Sequence, residues 1–366
     1  MFFRSAPALR CLSALSALGL SVILLAGCAK PAETAPRNVI LLIGDGMGLA
    51  QISTLYYNDT VKRSAFERFE RFGYIKTQPA VQKVTDSAAG ATAFASGVKT
   101  YNGAIGVDAD SNSVETIVER VSKEGLLTGL VATSSIVHAT PACFFAHVPA
   151  RSSYEDIAAQ LPESGVDFFA GGGTQFFARR SDGRNVFQAL SDAGFVMDST
   201  ALATAAPLDN GKKYGFLLAP DGMPPMSEGR GSFLLDATNM AIDYLRGGKE
   251  GFFLMVEGSQ IDWGGHGNNY AYLASEMADF NTAIGAALDF AAQDGHTLVI
   301  VTADHETGGL ALSTGASYNE MKATFSTGGH TGTLIPVFAY GPGSDAFSGI
   351  YENSDIFHKI IAATGW

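Results

Sequence analysis

Two patterns of apolar and polar positions alternate along the chain. Short continuous apolar runs at Asn38–Ile43, Leu126–Thr133, Asp167–Ala170, Phe252–Val256, Thr297–Thr302 and Pro336–Tyr340 read as strands buried on both faces. Between them, Ser113–Lys123, Asn185–Ala193, Ser232–Leu245, Tyr270–Ala292 and Ser354–Ala363 repeat apolar residues at helical spacing. Ser113 with Thr116, and Asp355 after Ser354, stand where such helices start. Hidden strands separated by helices predict an α/β fold, a mostly parallel central sheet sandwiched by helices on both faces. The stretch from Ala201 to Gly231 mixes Gly, Pro and polar residues and reads as a surface excursion. One catalytic-sized domain over residues 37–366 is the simplest account.

The N-terminus reads as an address. Arg4 and Arg10 precede an apolar run from Leu12 to Ala26, too short for a membrane span of about 20 residues but suited to a secretory signal. It ends in Leu25-Ala26-Gly27-Cys28, which resembles the bacterial lipobox, so residues 1–27 are expected to be removed and Cys28 lipidated. Residues 28–36 then form a lipidated Cys and flexible tether. The protein is expected to be exported and lipid-anchored on the periplasmic or cell-surface side, with the outer membrane preferred. Cys143, set among Ala142, Phe144 and Phe145, is left alone in the mature chain and reads as a buried structural thiol.

Composition narrows the function. A chain of 366 residues that is 46% hydrophobic has a sizeable core and is not disordered. With 36 Asp+Glu against 24 Lys+Arg, it is no phosphate-neutralising nucleic-acid binder. Any phosphate it handles must be held locally, by metal ions or a single placed Arg.

Chemistry gathers where strands hand over to loops. The first run leads into Asp45; Phe252–Val256 leads into Glu257, followed by Asp262 and His266; Thr297–Thr302 leads into Asp304 and His305. A Gly-rich loop delivers His330 just before the last strand. Imidazole and carboxylate together suit Zn²⁺, and oxygen alone suits a harder ion such as Mg²⁺. Singly, Asp45 could be a turn former and Asp262 with His266 a solvated helix face; the joint pattern points to metal. His147, His296 and His358 read as structural or surface residues. Ser87, in the small-residue segment Thr85–Ala93, stands at the start of a helix, where it is either an N-cap or an anion-site nucleophile.

The segments ILLIGDGMG, VTDSAAGATAFASGVKTYNGAIGVD, HATPACFFAHVPAR, VEGSQIDWGGH, VTADHETGG and GGHTG resemble, in order, the motifs of the bacterial alkaline phosphatases. The resemblance implies an alkaline-phosphatase-like fold, compact with short insertions, and a metal-dependent phosphate monoester hydrolase. Ser87 would attack phosphorus in line to give a phosphoserine. Asp45, Asp304 and His305 would hold one zinc, which coordinates the Ser87 oxygen. Asp262, His266 and His330 would hold the other, which stabilises the leaving oxygen and supplies hydroxide for the second step. Asp45, Thr140 and Glu257 would hold a third ion, normally magnesium. Arg151 would grip two phosphate oxygens as a fork. Two metals about 4 Å apart can stabilise the attacking and departing oxygens together.

Two positions depart from the pattern. His138 replaces an acid two residues before Thr140, so the third site could also admit zinc or cobalt. Trp263 replaces a Lys near the phosphate, which is expected to weaken product binding. Broad acceptance of small monoesters and a homodimer are expected, with no nucleic-acid binding site. The rivals are a phosphodiesterase or nucleotide pyrophosphatase of the same superfamily, which lacks the third-ion residues and the Arg, and a non-catalytic phosphate-binding lipoprotein. A sulfatase would need Cys-x-Pro-x-Arg, and Cys143 has no such sequence after it.

Overall fold

A ten-stranded sheet organises the computed structural model, which describes residues 35–57, 61–202, 207–317 and 319–366. In chain order its strands are β1 (Asn38–Gly44), β2 (Arg71–Lys76), β3 (Leu127–Ser135), β4 (Phe168–Gly172), β5 (Phe195–Asp198), β6 (Lys213–Leu217), β7 (Phe252–Gly258) and β8 (Thr297–Thr302). Two short ribbons follow, β9 (Glu306–Thr307), β10 (Leu310–Thr314), β11 (Met321–Phe325) and β12 (His330–Thr331), with β9 paired to β12 and β10 to β11. The sheet is completed by β13 (Ile335–Tyr340) and β14 (Gly349–Glu352), in the order β14-β2-β13-β8-β1-β7-β3-β4-β6-β5. β13 alone runs against the other strands of this sheet.

The hydrophobic pattern explains the middle of the sheet. β1, β7 and β8 are buried along their whole length. That is the pattern of parallel strands covered on both faces. Because β1 lies between β7 and β8 with all three parallel, their carboxyl ends form one rim. β13 enters the sheet at that same rim because it runs the opposite way, with Pro336 opposite the end of β8, where its carbonyl accepts from the Thr302 hydroxyl at 3.1 Å. Residues just before β13 are therefore delivered to the rim as surely as residues just after β1, β7 and β8.

Two expectations need correction. The helix expected over Ser113–Lys123 spans Ile117–Lys123, because Thr116 and Glu119 cap it reciprocally at 3.1 and 2.9 Å. Ser113 instead bridges to Val107. The stretch Ala201–Gly231 is no mere surface excursion: within it β6 sits inside the main sheet between β4 and β5, with Tyr214 to Leu217 buried. Its return segment is pinned by Arg230, whose buried guanidinium pairs with Glu276 and Asp279 on the helix Tyr270–Asp294. Residues 203–206 of that stretch, and the expected signal and Cys28, lie outside the described residues.

Candidate active site

The rim assembles the site from five strand ends. Asp45 follows β1, and its neighbour Gly46 turns with φ +74°, where a Cβ would come 2.8 Å from the Asp262 Cα. Only glycine lets the two loops approach this closely. Glu257 lies near the end of β7, and the helix Gln260–His266 beyond it carries Asp262 and His266 on one face, four residues apart. Asp304 and His305 follow β8. His138 and Thr140 follow β3, at and inside the short helix Ala139–Ala142. His330 arrives on β12, paired with Thr307 of β9.

Three imidazoles turn the same way. The Nδ1 of His266 lies 2.7 Å from the Gly328 carbonyl, and that of His330 lies 2.8 Å from the Thr85 carbonyl. A carbonyl only accepts, so both Nδ1 atoms carry the proton. The Thr307 hydroxyl donates to Asp262, so at 3.2 Å it accepts from His305 Nδ1. All three Nε2 atoms are thus left with a lone pair. The Nε2 atoms of His266 and His330 face each other at 3.1 Å, and the His305 and His330 rings stack at 3.5 Å. Lone pair against lone pair is repulsive unless a cation lies between them. Histidine ligands oriented through their other nitrogen are what a metal centre requires.

The carboxylates add to this picture. Asp45, Asp304 and His305 offer ligand atoms within 4.8 Å of one another, and so do Asp262, His305 and His330. Burial, then the charges of Asp304, Asp262 and Glu257, raise Asp45 well above the ordinary carboxylate range. Burial pushes Glu257 up to about 7 and His305 down to about 3. Asp45 Oδ1, Asp304 Oδ2, Glu257 Oε1, Thr140 Oγ1 and His138 Nδ1 are buried with no hydrogen-bond partner among the described residues. So many orphaned oxygens in one place are costly unless something else binds them. The donor set, oxygen and imidazole together, fits divalent cations of the zinc and magnesium type.

Ser87 sits against this cluster. It is the first residue of the helix Ser87–Ser96, and its Oγ lies 3.3 Å from both Asp45 Oδ2 and His305 Nε2. The N-cap is Asp86, not Ser87: the Asp86 carboxylate accepts from the Ala89 N–H at 3.0 Å. That leaves the Ser87 hydroxyl free for chemistry at the positive end of a helix. Asp86 also accepts from Arg151 Nη1 at 3.0 Å, while Arg151 Nη2 approaches His138 Nε2 at 3.3 Å. His138, pushed down to about 3 by burial and by the Arg151 charge, is neutral and can accept that bond. Trp263 stands edge-on to His138 at 6.1 Å, its ring over Gly222, where a Cβ would lie 2.6 Å from it.

The metal and phosphate candidates read from the sequence thus lie on one rim, with Arg151 held there by Asp86 beside Ser87. Cys143 is buried and free; it donates to the Ala88 carbonyl at 3.2 Å, and burial raises its thiol to about 12. Sequence reasoning missed Asp86, which holds Arg151, and Thr307, which orients His305 and Asp262 at once. Their proximity to Ser87 and His305 in the chain was the available signal.

Comparison with known proteins places these features in a family. A family model described as Alkaline phosphatase matches residues 36–325. Alkaline phosphatase 3 of Bacillus subtilis is 36% identical, covering 89% of this chain and 88% of the relative. The Escherichia coli alkaline phosphatase is 30% identical over 92% of this chain and 87% of its own. Among solved structures, alkaline phosphatase from the Antarctic bacterium TAB5 superposes with a TM-score of 0.88 at 52% identity, over 91% of this chain and 99% of that one. A variant of the TAB5 enzyme with a histidine changed to aspartate carries magnesium in its M3 site.

Proposed function

Since the chain belongs to the alkaline phosphatase family and is a metal-dependent enzyme hydrolysing phosphate monoesters, we propose that it does so through Ser87, with Arg151 as the phosphate clamp. The observation carrying this reading is the convergence of three Nε2 lone pairs and the orphaned Asp45 and Asp304 oxygens beside the Ser87 Oγ. Asp45, Asp304 and His305 would hold one zinc, Asp262, His266 and His330 the second, and Asp45, Thr140 and Glu257 magnesium or, given His138, zinc or cobalt. Such ions supply Lewis-acid charge at the attacking and departing oxygens.

The chain's own residues do the positioning. The Ser87 hydroxyl points at Asp45 Oδ2 and at the end of a helix dipole that favours an incoming anion. Its Oγ attacks phosphorus in line with the ester oxygen; the P–O bond to the alcohol breaks and a phosphoserine forms. Water then attacks phosphorus from the vacated side, releasing inorganic phosphate and restoring Ser87. Arg151 keeps its charge: burial opposes it, but the charge and hydrogen bond of Asp86 together with Asp45 and Tyr154 raise it above its ordinary value. Its guanidinium, engaging two phosphate oxygens, would reward a monoester more than a diester, which has one anionic oxygen fewer.

Hydrolysis of p-nitrophenyl phosphate beside bis-p-nitrophenyl phosphate at alkaline pH tests this. We expect a strong monoester preference, lost on adding EDTA. Ser87→Ala should lower the rate at least about 10³-fold, the scale of losing a nucleophile. A diester preference would overturn the role of Arg151 and favour the phosphodiesterase reading.

The Leu25–Cys28 sequence supports export and a lipid anchor on Cys28, after removal of residues 1–27, with residues 28–36 as tether to a catalytic domain over 37–366. A homodimer acting on a broad range of small monoesters is the accompanying expectation. Globomycin should leave the precursor uncleaved; a soluble mature form beginning beyond Cys28 would overturn the anchor.

A further inference from the structure

Glu306 is a buried carboxylate, 5% exposed, that the proposed reaction leaves unused. We propose that it is a positioning residue, a clamp that holds His330 in place as a metal ligand; this rests on the metal-site reading above. No cation pairs with it among the described residues. Instead it is filled by neutral donors. Oε1 accepts from Gln51 Nε2 at 2.7 Å and from the Leu310 N–H at 3.2 Å. Oε2 accepts from the Gly309 N–H at 3.2 Å and from the Thr331 hydroxyl.

These partners explain what the carboxylate does. Gly309 and Leu310 are where the chain leaves the rim for the largely exposed β10–β11 ribbon, and Thr331 is where it has returned. The returning strand pairs over two residues, His330 with Thr307 and Thr331 with Glu306, and backbone bonds of Gly308 with Ser326, Thr327 and Gly329 continue the contact. Glu306 is the carboxylate that ties the outgoing Gly309 to the returning Thr331 across the base of this excursion, immediately beside His330. The β1 loop is tied to the same point: Gln51 also donates to the Thr307 carbonyl at 2.9 Å and accepts from the Gly48 N–H at 3.1 Å. Gly48 is pressed so near that a Cβ would lie 2.5 Å from Glu306 Cγ. Segments bearing Asp45, Asp304 with His305, and His330 thus meet at one carboxylate. Residues that orient metal ligands typically change metal affinity 10–100-fold when altered.

Glu306→Gln keeps the shape but turns one oxygen into an amide that faces donors, either Gly309 and Thr331 or Gln51 and Leu310. Thr331→Val removes one hydroxyl, and Thr331→Ser restores it. The readout is zinc release from the zinc-loaded protein into a chromophoric chelator, followed by rate and by ions per chain, with circular dichroism confirming the fold. We expect one class of zinc to leave about 10–100-fold faster in Glu306→Gln, the same class to leave faster in Thr331→Val, wild-type release in Thr331→Ser, and a double variant no faster than Glu306→Gln alone. Wild-type release from both single variants would overturn the clamp. So would equal acceleration of every ion with multiplying effects, which marks general destabilisation. His330→Ala provides the separate control: if it leaves the zinc count unchanged, the metal-site reading itself fails and the clamp with it.

Discussion

At the scale of single residues, the site is decided by what each side chain is left without. His266 and His330 give their Nδ1 protons to carbonyls, so their Nε2 lone pairs face each other at 3.1 Å beside Asp262. Asp86 caps the helix in place of Ser87 and at the same time holds Arg151. Trp263 is the residue whose replacement separates binding from turnover. It lies beside His138, which contacts Arg151, and brings no charge to the phosphate site. Trp263→Lys should lower the phosphate inhibition constant about fivefold, the effect of ~1 kcal/mol from a partly exposed charge, and slow turnover as product leaves less readily. Steady-state kinetics with phosphate as inhibitor checks it; an unchanged inhibition constant counts against it.

At the scale of elements, the reading of Ala201–Gly231 shows where pattern stops being informative. β6 contributes KYGFL to the sheet, a segment with a charged residue and a glycine that carries no strong strand signal of its own. It is a strand because β4 and β5 offer it open edges on both sides. The segment that follows is fastened by Arg230, whose side chain is fully buried between Glu276 and Asp279. Arg230→Met would leave two buried carboxylates facing each other without a cation. That should cost about 3–5 kcal/mol, as breaking one side of a buried ion pair does, measured by urea unfolding. A loss under about 1 kcal/mol would mean that solvent reaches the pair. The helix start at Thr116 makes the complementary point, since its capping box with Glu119 was readable in the sequence but the apolar rhythm extended past it.

At the scale of the whole molecule, a sheet rim crowded with buried acids links metal content to stability. In the metal-free protein, burial and neighbouring charge raise Asp45, and burial raises Glu257 to about 7 from an ordinary 4.5. The folded chain then binds more protons than the unfolded one, so stability falls as pH rises through that window. His305, lowered to about 3 from 6.5, acts in the opposite sense only below its ordinary value. Above about pH 6.5 the carboxylate loss remains unopposed. The EDTA-treated protein should therefore melt at lower temperature at pH 8 than at pH 6.5, while the metal-loaded protein shows no such fall, because ions and protons compete for the same oxygens. Parallel melting curves for the two forms would argue against buried ligands at the rim.

The sequence by itself determined the central strands and the α/β class, and it named most of the residues that the fold gathers at the rim. Continuous apolar runs can be satisfied only inside a covered sheet, and Asp45, Glu257, Asp304 and His305 stand just after such runs, with His330 before one. Tertiary structure alone decided the rest. That β13 is antiparallel, and so presents His330 to the rim where β1, β7 and β8 end, depends on strand order, which no local pattern encodes. The same holds for Thr307 lying between His305 and Asp262, and for Glu306 gathering Gln51, Gly309, Leu310 and Thr331. Their partners are distant in the chain, and a hydroxyl or carboxylate acquires its role only from what folding sets beside it.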